Sequence, residues 1–179
     1  MTNLAAFFDV PLAHRALHDV KDGRPENSRA AIHAAIAAGY GIEIDVQLSS
    51  DDAAMVFHEY ALERLTGEKG MVRTCTANQL SLIRLTGGNE GIPTLPEVLD
   101  IVGGRVPLVI ELKDQDGAMG PNIGPLEQAT ADAVQGYHGD IAVMSFNPHA
   151  VARMSELLPD VPRGLVTSAY RYDHWPLSK

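Results

Sequence analysis

Short apolar runs alternate with helix-like segments along most of the chain, and this alternation restricts the fold more than any other feature. A brief run rich in Val, Ile and Leu reads as a strand. Strands separated by helical stretches pair in parallel, because a parallel connection needs a crossover. Six strands are expected: Pro11–Leu17, Gly41–Ser49, Ala53–His58, Pro107–Lys113, Ile141–Phe146 and Arg163–Thr167. The third follows an Asp51-Asp52 turn, too soon after the second for a crossover helix. Between the strands, Asn27 or Ser28 caps a helix through Ala30, Ile32, Ala35 and Ile36 that stops at Gly39. A short helix is expected near Ala77–Leu85, and Thr94-Leu95-Pro96-Glu97 opens another. After a loop over Asp116–Pro125 a helix reaches about Tyr137, and a last one spans Pro148–Leu158. The remainder of 59–94 reads as irregular, and Ser168–Lys179 shows no pattern. The class is α/β with a parallel sheet.

At 179 residues the chain is one domain's worth, 1–179, and large enough to bury a core. Fourteen basic residues against 23 acidic ones give a formal charge of -9, with no basic run, which argues against nucleic acid as a partner. Cys75 is the single cysteine, so no intrachain disulfide forms; it lies in a polar stretch and is read as incidental. No apolar stretch approaches the ~20 residues of a membrane span. The first residues lack the basic and apolar regions of a signal peptide, so a cytoplasmic location is expected.

Chemistry concentrates on the strands. In Gly41–Ser49, Ile42, Ile44, Val46 and Leu48 point one way, and Glu43, Asp45 and Gln47 the other. Residues two apart on a strand lie roughly 6–7 Å from each other. Glu43 and Asp45 are therefore neighbours. If buried they repel, and an oxygen-preferring ion such as Mg²⁺ or Ca²⁺ would satisfy both; a solvated polar face is an equally good reading of this strand alone. Pro107–Lys113 repeats the theme, with Glu111 and Lys113 sharing a face with Val109. They form either a surface pair, or a third metal ligand beside a phosphate-binding cation. His14 and His58 sit at strand ends, where α/β proteins bind ligands. They suit acid–base work. His18, His33, His138, His149 and His174 lack a charged constellation and are read as structural or surface residues. Three carboxylates, two histidines, Arg15 and Lys113 together suit metal-assisted attack on a phosphodiester. Neither a glycine-rich phosphate loop nor a G-x-S-x-G elbow is present.

Seven segments, in order, resemble the glycerophosphodiester phosphodiesterases: His14-Arg15, Glu26-Asn27-Ser28, Glu43-Ile44-Asp45-Val46, Val56-Phe57-His58-Glu59, Leu62-Glu63-Arg64-Leu65-Thr66 with Gly70, Ile92-Pro93-Thr94-Leu95, and Ile110-Glu111-Leu112-Lys113. The resemblance spans residues 12 to about 167. It implies a TIM (β/α)₈ barrel with its active site at the carboxyl ends of the strands. It implies Mg²⁺ or Ca²⁺ held by Glu43, Asp45 and Glu111, His14 and His58 as the acid–base pair, and Arg15 and Lys113 on the phosphate. The implied reaction converts a small glycerophosphodiester to an alcohol and glycerol 3-phosphate, by a cyclic phosphate or by direct water attack. Which histidine is acid and which is base stays open.

Three departures stand out. Glu59 follows His58 where the family usually has Asp, and Asp51-Asp52-Ala53 replaces the usual Asp-Gly turn. Six strands fall short of the eight, in about 250 residues, of a complete barrel, and Trp175 does not match the family's Trp-containing last strand. The expectation is a fragment of a longer protein, a barrel completed by a second chain, or a degenerate member, the fragment being favoured. Two functional alternatives are a lysophospholipase D- or sphingomyelinase D-like phosphodiesterase, which would need an apolar groove beside the site, and a truncated inactive binding module.

Overall fold

The eight residues Gly41–Leu48 are all buried, and the rest of the fold is arranged on them. A computed structural model describes residues 4–167; His174 and Trp175 lie outside the described residues. In chain order the elements are α1 (Ala6–Asp9), β1 (Leu12–Ala13), α2 (Arg29–Ala38), β2 (Gly41–Leu48), β3 (Ala54–Val56), α3 (Glu63–Thr66), α4 (Ala77–Leu82), α5 (Leu95–Val102), β4 (Leu108–Leu112), α6 (Pro125–Val134), β5 (Ile141–Ser145), α7 (Pro148–Leu157) and β6 (Arg163–Leu165). The six expected strands are present but shorter than their apolar runs: Pro11–Leu17 is reduced to β1 at Leu12–Ala13, because the chain turns at Arg15 and Ala16, and Ala53–His58 is reduced to β3 at Ala54–Val56. Their order is β1-β2-β4-β5-β6, all parallel, with β3 paired antiparallel to β2. Among the described residues β1 and β6 end the path unpaired with each other, so the sheet is an arc of a barrel rather than a closed one.

One face of the arc is the main core. Ile42, Ile44, Leu108, Ile110 and Val143 pack with Ile32, Ala35, Val98, Leu99, Leu126 and Met154 from the crossover helices. Period-2 alternation along the strands thus meets the apolar stripe of each helix. The helix ends are chemically specified. Ser28 Oγ accepts the Ala31 N–H at 3.1 Å, so Ser28 caps α2 and Asn27 is released for another role. Gly39 ends α2 at φ 71°, a left-handed conformation that favours glycine. Thr94 and Glu97 form a capping box on α5.

The stretch 59–94 is more ordered than its pattern suggests. Leu62, Val72, Leu80, Leu85 and Ile92 form a second core with Met55 and Phe57. The expected short helix forms as α4 and supplies Leu80, but the other residues arrive from turns and one-turn helices, so no single repeat reveals them.

The third strand places the site. β1 ends at Ala13, opposite Ile42, while β3 runs the other way and ends at Val56, opposite Val46. Two strand tips therefore face each other along one edge of β2. The gap between them is bonded: the Ala16 N–H donates to Glu43 O at 3.0 Å and the Phe57 N–H to Asp45 O at 2.9 Å. His14 leaves one tip and His58 the other. His58 thus reaches the site from an antiparallel hairpin, not from the carboxyl end of a parallel strand.

Candidate active site

The second face of the arc carries Glu43, Asp45 and Gln47 on β2 and Glu111 on β4. Parallel pairing sets Asp45 beside Glu111. Glu43, Asp45 and Glu111 are all buried, and one carboxylate oxygen from each lies within 4.8 Å of the others. Three carboxylates so close repel strongly when removed from water. Burial first, and the Asp45 charge second, push the Glu43 carboxyl up to about 7. Lys113 offsets part of the charge: its Nζ is 2.6 Å from Asp45 Oδ1 and 2.5 Å from Glu111 Oε1. Burial alone would depress the Lys113 pKa, but the two carboxylates outweigh it and raise it, so the ammonium keeps its proton. Glu43 Oε1 is buried without a hydrogen-bond partner. An unpaired buried oxygen among hard, anionic oxygen donors is a feature that a divalent cation would resolve. The residues fit such an ion.

The flanking groups converge on the same cluster. The His14 side chain is 71% exposed, with Nε2 4.0 Å from Glu43 Oε2. Arg15 donates its backbone N–H to Glu43 Oε2 at 2.9 Å, and its Nε lies 3.7 Å from Asp45 Oδ2. Arg15 and Ala16 adopt φ values of 58° and 63°, uncommon for non-glycine residues; the Glu43 bonds to both backbone N–H groups hold this turn. His58 lines a cavity of about 660 Å³ together with Glu111, Lys113, Tyr60, Met119 and Phe146. All seven residues singled out from the sequence therefore border one region.

Several residues around it carried no individual signal. Asn27 is buried at the start of the loop-to-helix turn; its Nδ2 donates to Asp45 Oδ2 at 2.9 Å and its Oδ1 accepts the Asp45 N–H at 3.2 Å. Gln47 lies one step beyond Asp45 on the same face and donates to the His58 carbonyl at 3.3 Å. Glu26 accepts from Arg15 and from Arg64. Asn27, Glu26 and Arg64 sit inside the matching segments, so their motifs were visible although their contacts were not. Because Asn27 bonds both the backbone N–H and the carboxylate of Asp45, Asn27→Ala is expected to weaken binding of a divalent cation at this cluster by about 10- to 100-fold if Asp45 is a ligand, the usual effect of losing a group that holds a ligand in place. Titration calorimetry on the two proteins checks this, and equal affinities would remove Asn27 from that role.

The model of the glycerophosphoryl diester phosphodiesterase family matches residues 14–179. The chain belongs to that family. A glycerophosphodiester phosphodiesterase from Caldanaerobacter subterraneus is 30% identical over 93% of this chain and 70% of its own length. One from Bacillus altitudinis is 29% identical over 87% of this chain and 65% of its own. In structure, an Oleispira antarctica phosphodiesterase in complex with the product sn-glycerol-3-phosphate superposes with a TM-score of 0.77, at 26% identity, over 94% of this chain and 73% of that one. A Thermotoga maritima glycerophosphodiester phosphodiesterase gives 0.70 at 26% identity, over 91% of this chain and 64% of that one. This family member thus spans about two thirds of the length of such relatives. Among its described residues no helix is long and apolar enough to cross a membrane.

Proposed function

We propose that this chain hydrolyses glycerophosphodiesters to an alcohol and glycerol 3-phosphate, using a divalent cation held by Glu43, Asp45 and Glu111. The observation that carries the reading is the convergence of three buried carboxylates within 4.8 Å, bordered by two histidines and two cations. Family membership and the product named for the Oleispira antarctica relative support it. We extend the proposal to Mg²⁺ or Ca²⁺ as the ion, to 1–179 as the greater part of a single catalytic barrel domain, to a small-molecule substrate and to a cytoplasmic location for the protein. The charge of -9 argues against a polyanionic partner.

When bound, the cation supplies electrophilic stabilisation of the phosphoryl oxygens. Arg15 and Lys113 add positive charge on the side of the anionic diester. An oxygen nucleophile forms a new P–O bond while the P–O bond to the departing alcohol breaks. One histidine takes the proton from the nucleophile and the other supplies a proton to the leaving oxygen, so that charge and protons balance. Each histidine resets by the reverse transfer with water.

A second reading is favoured by the cavity. Besides its polar edge it is walled by Leu112, Ala118, Met119 and Phe146, with Met119 48% and Tyr60 45% exposed. An apolar groove beside the carboxylates is what a lysophospholipid would require. The test of both readings is hydrolysis by the purified 179-residue chain, its mass verified, with added Mg²⁺ or Ca²⁺ and with chelator. Glycerophosphocholine, glycerophosphoethanolamine and lysophosphatidylcholine serve as substrates. Cation-dependent release of glycerol 3-phosphate from the first two is expected. Turnover of the lysophospholipid alone would favour the second reading. Silence on all three, without cation binding, would support an inactive binding module.

A further inference from the structure

The residues around His58 and Arg15 form a continuous chain of alternating charge that the reaction scheme above does not use. Starting at His58, its Nδ1 lies 3.0 Å from Glu59 Oε1. The same Glu59 oxygen accepts from Arg64 Nε at 2.6 Å. The remaining nitrogens of that guanidinium meet Glu26 in a two-pronged bond, 3.0 Å to Oε2 and 2.8 Å to Oε1. Glu26 Oε1 then accepts from Arg15 NH1 at 2.9 Å. One guanidinium thus uses every nitrogen, and it joins a hairpin tip to the loop that precedes α2, 38 residues away.

Resting on the phosphodiesterase reading, we propose that Arg64 is a positioning residue, clamping Glu59 onto His58 Nδ1 and Glu26 onto Arg15 so that the proton-transfer and phosphate-binding sides keep one geometry. An ionised carboxylate only accepts hydrogen bonds. Glu59 therefore places the His58 proton on Nδ1 and leaves Nε2 with its lone pair. Burial pushes Glu59 up, but the hydrogen bonds from Arg64 and His58 outweigh it and hold the carboxyl below its usual range. Glu26 behaves alike, its burial outweighed by Arg64 and Arg15. Both carboxylates stay ionised near neutrality and keep their acceptor role. The planar guanidinium suits this task, since its fixed fork grips Glu26 with two nitrogens while Nε meets Glu59, whereas an ammonium offers rotatable donors from a single point. The extra methylene of Glu59, relative to the Asp usual at this place, lets one oxygen reach its own neighbour's ring and Arg64 together.

A mere staple between α3 and the preceding loop would stabilise the fold without setting a tautomer. Long-range ¹H–¹⁵N correlation spectra of the full chain separate the two roles. They are recorded at alkaline pH, where imidazole is neutral, with His58 assigned by its loss in His58→Gln. The wild type is expected to show His58 as the Nδ1–H tautomer. Glu59→Ala should shift it to the Nε2–H form that free imidazole side chains favour, and Arg64→Ala should give a mixture of the two. Kinetics on glycerophosphocholine add a second readout. Glu59→Ala should mainly lower kcat and Glu26→Gln mainly raise KM. Arg64→Ala should do both, by about 10- to 100-fold in kcat/KM, and Arg64→Lys should not restore it. A wild-type His58 in the Nε2–H form, a tautomer unchanged in Glu59→Ala, or an Arg64→Ala protein with the wild-type tautomer and kcat/KM would overturn the proposal. The wild-type spectrum needs neither a stable variant nor turnover, so this failure is distinct from failure of the phosphodiesterase reading.

Discussion

Glu43→Gln is expected to abolish tight cation binding and, in metal-free protein, to make the fold more stable at pH 8 by about 3 kcal/mol. Both effects have one cause. Burial and the Asp45 charge raise the Glu43 carboxyl from 4.5 to about 7 in the folded chain. In the unfolded chain it ionises near its ordinary value. Between these two values the folded state holds a proton that the unfolded state has released. The stability from protonated Glu43 is therefore complete below about pH 4.5 and is lost as pH rises through about 7. Glutamine stays neutral, fills the same volume and lacks this pH dependence. Urea unfolding of both proteins in chelator at pH 5 and pH 8 measures the effect. The stability difference between variant and wild type should grow between the two pH values, while calorimetry shows the loss of cation binding. A difference independent of pH would mean that Glu43 is ionised without strain in the folded chain. Destabilisation without the cation is the expected cost of a preformed anionic site.

If His14 and His58 are the proton-transfer pair proposed above, loss of either is expected to have the largest effect on turnover. His14→Ala and His58→Ala should each lower kcat by about 10²–10⁴-fold, the usual contribution of a general acid or base. Neither histidine is one of the three carboxylates of the cluster, so cation affinity should stay within a few-fold of wild type. The two substitutions differ in their surroundings. The His14 side chain is 71% exposed and loses little packing on truncation. His58 is 25% exposed, and its removal frees Glu59 from one partner. Unfolding midpoints measured alongside the kinetics separate a chemical loss from a packing loss. Turnover within about threefold of wild type in either folded variant would return that histidine to a surface role.

The reach of the local pattern is clearest on β2 and β4. Alternation in Gly41–Leu48 and Leu108–Leu112 assigned Glu43, Asp45 and Glu111 to one face, because a strand repeats every two residues whatever surrounds it. That face could still have been solvated. Only the pairing of β2 with β4, which sets Asp45 beside Glu111, together with burial of all three carboxylates, makes it a cluster. His58 reads as the end of a strand, yet it arrives by a strand of opposite direction. Its place depends on the hairpin at Asp51-Asp52 and on the Phe57 N–H bonding back to Asp45. Apart from the short helix near Ala77–Leu85, residues 59–94 read as irregular because their apolar residues meet through short elements and turns with no common period.

Asn27, Gln47, Glu26 and Arg64 are polar residues of ordinary type, and nothing in their spacing says what they touch. Asn27 bonds across 18 residues to Asp45, and Arg64 across 38 to Glu26. Such contacts arise when packed elements bring distant loops together, so they depend on the sum of all the cores rather than on any one segment. The sequence by itself determined the α/β class, the strand faces and the chemical types at the site, since these follow from short-range periodicity and side-chain chemistry. Tertiary structure alone decided the facing strand tips, the burial that lifts Glu43, and the charge chain through Arg64, because distance and desolvation exist only once the chain has closed on itself.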